Sequence, residues 1–222
     1  MYEADSGLKL ELHNLAEKEV GPERKVVMAG VAGSRLFRYN RRDSDLDCFV
    51  VYRDSKDTKS SILGPSKPPK RLTYSPISTT WSGSEYSMVF LEVDELIRGV
   101  IKGVPNYIQY LFCDLLFTET CDPDIEALTK IVSISKDVRT YSVAKYRGCA
   151  SSYSHNSMRA YRLYVEYTYY VSHGYINFDK VNEIAELLGE IPKYTFSAVN
   201  IDVDIYDKVV DMLDTMRRLR CK

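Results

Sequence analysis

The sequence predicts an α/β (α+β) fold: a small mixed sheet with flanking helices, followed by a helical C-terminal part. Three observations lead there. Apolar, strand-like runs at Val26–Ala29, Cys48–Val51 and Tyr86–Leu91 fall between helical patterns in the first half of the chain. A Gly-Ser pair closes the first of these runs and an Asp-rich turn opens the second. Beyond Asp122 only helical periodicity remains, so an α/β core over residues 1–120 and a helical region over 121–222 are expected.

Taken in order, Leu8, Leu12 and Leu15 recur at helical spacing and predict a helix from Leu8 to Val20, ended by Gly21-Pro22. Val26 to Ala29 reads as a buried strand, followed by the Gly33-Ser34 turn and a short helical segment. A polar loop then brings Asp43, Asp45 and Asp47 to the entry of a second strand that runs through Val51. Asp54 to Ser84 has loop composition, with a short strand expected between Leu72 and Thr80. Tyr86 to Leu91 is a third strand. Asp94 is the expected N-cap of a helix through Lys102, which Gly103 stops. Pro105 begins another, expected to run from Asn106 to Phe117. Pro123 suits an early helical position ahead of Asp124–Ile131. Tyr141–Ser172 carries a long helical pattern with a break near Ser151–Asn156, and Asn182–Leu188 and Ile205–Leu219 add two more helices.

Composition narrows the function classes. In 222 residues, 45% are apolar and 27% charged, as in an ordinary globular protein with a substantial core. Thirty basic residues against 31 acidic ones give a net charge of −1, which argues against a strongly electrostatic nucleic-acid binder. The five cysteines are odd in number and include no Cys-x-x-Cys, a pattern of free thiols rather than a disulfide framework or zinc site. No apolar run reaches membrane-spanning length and the N-terminus lacks the apolar region of a signal peptide, so a cytoplasmic location and no membrane partner are expected.

The chemistry concentrates in Lys25–Asp54. Asp45 and Asp47 are two apart, so within a strand their side chains would share a face. Like charges that close repel, and nothing in the apolar pattern calls for them. A divalent cation accounts for them, because Mg²⁺ is commonly held by one or two carboxylates together with substrate phosphates. The Gly33-Ser34 turn ahead of a helical segment offers backbone N–H groups to an anion. An Asp/Ser-rich turn is also ordinary loop chemistry. That explains Asp43 and Ser44 but not a Gly-Ser pair at the end of an apolar strand.

Gly33-Ser34, a spacer, and Asp43-Ser44-Asp45-Leu46-Asp47 leading into Cys48-Phe49-Val50-Val51 resemble the signature of the DNA polymerase β-like nucleotidyltransferase superfamily. Within it, the chain is similar to the bacterial and phage "predicted nucleotidyltransferase" group, in which a segment like Leu96–Pro105 follows the third strand. The likeness covers roughly the first half of the chain. It implies transfer of a nucleotidyl group from an NTP, with ATP favoured, to RNA, a protein or a small molecule. It also implies two Mg²⁺ or Mn²⁺ ions on Asp45 and Asp47, and phosphates on Gly33 and Ser34. Arg35, close to both in sequence, is a further nucleotide-binding candidate. The superfamily's third carboxylate falls at or near Ser87. Glu85 is the alternative, since positions 85 and 87 share a strand face. Without a third carboxylate, the resemblance implies an inactive binding or regulatory protein of antitoxin-like or phage host-directed type.

In the C-terminal half, Lys145, Arg147, Arg159 and Arg162 alternate with tyrosines. Lys145 and Arg162 are candidates to hold a triphosphate, with stacking from the aromatic rings. A tyrosine-rich helix interface with surface arginines is the alternative.

Overall fold

The computed structural model describes residues 6–37, 45–54, 70–74, 86–113, 115–118, 122–153 and 157–188. By its contacts the chain divides into two compact units. One comprises residues up to Leu96 together with Cys113–Asp122, and the other Ile97–Phe112 together with the chain from Pro123 onward.

The first unit is built on a five-stranded mixed sheet. Its strands are β1 (Arg24–Val31), β2 (Leu46–Asp54), β3 (Lys70–Tyr74), β4 (Tyr86–Glu92) and β5 (Leu115–Thr118), in the order β3-β4-β2-β1-β5. β2 and β4 run parallel, and the other pairs are antiparallel. Alternation sets the two faces. On β2, Leu46, Cys48 and Val50 join Val26, Ala29 and Val31 of β1 and Met88 and Phe90 of β4 in a core. Leu12, Ala16 and Val20 of α1 (Ser6–Val20) complete it. These helical residues are four apart, so they line one side of α1 and cover the sheet. Gly21 ends α1 in the left-handed region (φ 83°), its N–H returning to the Glu17 carbonyl at 2.9 Å. Asp47, Phe49 and Val51 alternate onto the opposite face of the sheet.

Two local expectations are corrected. The helix expected from Asn106 to Phe117 stops early: α4 spans Pro105–Phe112, and Leu115–Thr118 is edge strand β5, paired with β1. An apolar run that short reads equally as helix or strand, and the open edge of β1 decides it. Leu115 is exposed on this strand, while Leu116 is buried. Asp94 is also not the N-cap of α3 (Val93–Ile101). It lies in the first turn, and Glu92 of β4 accepts its backbone N–H at 2.7 Å.

The second unit is helical. Besides α4 it contains α5 (Pro123–Ile134), α6 (Lys136–Tyr141), α7 (Val143–Ser152), α8 (Ser157–His173) and α9 (Phe178–Leu188). The expected break near Ser151–Asn156 separates α7 from α8. Ile205–Leu219 lies outside the described residues, as does the loop at 55–69. Among the described residues no helix is long and apolar enough to cross a membrane.

Arg139 of α6 ties the helix ends together. Buried, it donates from Nη1 to the carbonyls of Val132 and Ser133 at 2.9 and 2.7 Å, and from Nε to that of Val171 at 3.1 Å. These carbonyls lie in the last turns of α5 and α8, where intrahelical partners run out and the helix dipoles are negative. Arg139→Leu is therefore expected to cost roughly 2–3 kcal/mol of stability, the scale of buried hydrogen bonds to a charged group. Arg139→Lys should recover only part of this, because an ammonium lacks the planar fork. Urea denaturation of the three proteins measures both effects; equal midpoints for wild type and the leucine variant would count against the tie.

Candidate functional site

The chain turn that follows β1 and the entries of β2 and β4 meet at one end of the sheet. After Val31 the chain turns at Ala32-Gly33 into α2 (Gly33–Leu36). The Ala32 N–H returns to the Asp47 carbonyl at 2.8 Å, which pins the turn to the start of β2. Gly33 has φ 66°, in the left-handed region, and a Cβ built on it would overlap the Asp47 carboxylate at Oδ2. Glycine is required at this position for both reasons.

Asp47 is half-buried, and its two oxygens have different surroundings. Oδ1 accepts the hydroxyl of buried Ser87 at 2.7 Å. That contact follows from the register, since Asp47 of β2 pairs with Ser87 of β4 in the parallel ladder. Oδ2 lies over Gly33 and, among the described residues, takes no hydrogen bond. Asp45 is exposed and precedes β2, whose first residue is Leu46. The shared face expected for Asp45 and Asp47 holds only within a strand, so the pleat does not fix the direction of Asp45. Arg35 instead anchors its main chain, donating from Nε to the Asp45 carbonyl at 3.3 Å. The fields of Asp47 and Arg35 meet at the buried Cys48 thiol. Burial and then the Asp47 carboxylate push that thiol up, while the Arg35 guanidinium acts the other way.

Gly33, Ser34, Arg35, Asp45 and Asp47 are thus gathered at one place. Ser34 is half-buried, and no hydrogen bond to its hydroxyl is made among the described residues. Because α2 is a single turn, its dipole is small. Glu85 lies outside the described residues.

Lys145 and Arg162 belong to the helical unit. Lys145 is exposed on α7, near Cys149. Arg162 is buried and donates from Nη1 to Asn182 Oδ1 at 2.5 Å, a bond from α8 to α9. Of the other basic and aromatic residues in this region, Arg159 stacks over the Tyr153 ring at 3.9 Å.

Sequence reasoning missed a buried polar cluster in this unit. Glu166, fully buried on α8, accepts the Tyr146 hydroxyl of α7 on Oε1 at 2.5 Å and the Gln109 amide of α4 on Oε2 at 2.9 Å. The available signal was periodicity: Glu166 stands between Leu163 and Tyr170, three and four residues away on the same buried face.

The donor set at Asp45 and Asp47 is two carboxylates beside a turn suited to phosphate. Two carboxylates with waters and phosphate oxygens would suit a hard cation. Among the described residues no three His, Cys, Asp or Glu side chains gather at a point.

No protein-family model and no curated protein matches the chain. Among solved structures it is similar to a nucleotidyltransferase-like protein from Exiguobacterium sibiricum 255-15, at 11% identity and a TM-score of 0.39, over 96% of this chain and 76% of that one.

Proposed function

We propose that the chain is a metal-dependent nucleotidyltransferase that moves a nucleoside monophosphate from an NTP, with ATP favoured, to an acceptor of RNA, protein or small-molecule type. The observation that supports this reading best is the packing of Gly33 directly beneath the Asp47 carboxylate. The turn that this reading assigns to phosphate and the acid that it assigns to metal are in contact there. In this reading the turn N–H groups and Ser34 hold the triphosphate, and Asp45 and Asp47 hold Mg²⁺ or Mn²⁺. Bound metal supplies charge neutralisation at the phosphates. Arg35 keeps Asp45 in place through its carbonyl.

The test is incubation with each labelled NTP and Mg²⁺ or Mn²⁺, followed by detection of pyrophosphate or of label on the chain or on added RNA. Release that requires metal and is lost in Asp47→Asn supports transfer. Ser34→Ala is expected to weaken NTP binding by about 1.5–3 kcal/mol, the scale of a hydrogen bond to a charged group. Unchanged affinity by calorimetry would remove Ser34 from the site.

A second reading, nucleotide binding without transfer, is favoured by one observation. The β4 position facing Asp47 carries the neutral hydroxyl of Ser87. Metal-dependent NTP binding with no pyrophosphate release from any NTP would select it.

A further inference from the structure

We propose that Ser87 is a positioning residue for Asp47 and that the site takes a single divalent cation with its nucleotide. The inference rests on the nucleotide-site reading above. Ser87 is buried on β4 and faces Asp47 across the parallel pair, and its Oγ donates to Oδ1 at 2.7 Å. A hydroxyl proton directed at Oδ1 reduces that oxygen's capacity for a cation. The same bond fixes the carboxyl plane so that Oδ2 is carried over the Gly33 turn. One oxygen therefore faces the place where phosphates would enter.

Two divalent ions working together on a phosphoryl group stand ~3.5–4 Å apart and repel strongly, so they need anionic ligands that bridge them. Among the described residues, the side chain best placed to share ions with Asp47 is its β4 neighbour, and serine brings no charge. The described acids at this end of the sheet are Asp45 and Asp47, which suits one Mg²⁺ held by one or two carboxylates, water and triphosphate oxygens. A carboxylate at position 87 would also repel Asp47 whenever metal is absent. Serine replaces that repulsion with a hydrogen bond.

Mn²⁺ and α,β-methylene-ATP serve as probes, with bound ions counted by electron paramagnetic resonance and stability followed by thermal melts. Wild type is expected to bind one Mn²⁺ per nucleotide complex. Ser87→Ala should keep the count but weaken Mn²⁺ about tenfold or more, as losing a group that orients a metal ligand commonly does. Ser87→Thr, which retains the donor, should restore the affinity. Ser87→Asp should melt lower than wild type without metal and take up a second Mn²⁺ with nucleotide. Equal Mn²⁺ affinity in wild type and Ser87→Ala would overturn the positioning role. Two ions in wild type would overturn the single-ion site, and a drop to one in Glu85→Gln would name the missing ligand. Wild type that binds neither probe would overturn the nucleotide-site reading itself.

Discussion

Gly33→Ala is expected to weaken metal-dependent nucleotide binding and to lower the melting temperature. Two costs combine. Alanine at φ 66° carries left-handed backbone strain of about 1–2 kcal/mol. Its methyl group also overlaps Asp47 Oδ2, so Asp47 must move. Moving Asp47 disturbs its bond to Ser87 and the oxygen that would face the cation. Under the nucleotide-site reading each ~1.4 kcal/mol weakens binding tenfold, so NTP affinity should fall by roughly tenfold at least. Gly148→Ala is the control. That glycine lies exposed in α7, has no atom within 4 Å of an added Cβ, and should gain up to about 1 kcal/mol of helix propensity. Calorimetry with NTP and Mg²⁺, alongside thermal melts, separates the two. If Gly33→Ala binds NTP as tightly as wild type, the turn is not the phosphate cradle.

Stability should decline as pH rises from about 5 to 8, and Glu166 should be the cause. Burial pushes its carboxyl from the ordinary 4.5 up to about 8, against the opposing effect of the Tyr146 and Gln109 hydrogen bonds. Facing it are Tyr146 and Cys149 of α7 and Gln109 of α4, with Tyr170 further along α8. Between the two pKa values the folded chain holds a proton that the unfolded chain has lost. The stabilisation is therefore complete below about pH 4.5 and is lost as pH climbs through about 8. The slope contributed by one such group is at most about 1.4 kcal/mol per pH unit. Glu166→Gln cannot ionise and should flatten this slope. Tyr146→Phe removes a bond that favours the carboxylate, so it should move the midpoint above that of wild type. Urea denaturation from pH 5 to 9 measures all three proteins. Parallel curves for wild type and Glu166→Gln would show that this carboxyl ionises as if in water.

The sequence by itself determined the elements whose signals are local. Gly21 ended α1, Pro105 opened α4, and the polar stretch after Ser151 parted α7 from α8. It also determined most of the candidate site. Gly33, Ser34 and the acids at the start of β2 lie within 15 residues of one another, and strand, turn and strand follow from short-range patterning. Tertiary structure decided whatever depends on distant partners. Residues 115–118 became a strand because β1 offered an unpaired edge, which no local periodicity announces. Ser87 met Asp47 across 40 residues of sequence because a parallel register set them side by side. The inward course of Arg139, Arg162 and Glu166 was equally illegible, since a charged residue on a helix reads as a solvated face. Only packing against other helices shows the carbonyls, amides and hydroxyls that make its burial tolerable, because an isolated helix has no partner with which to satisfy a buried polar group.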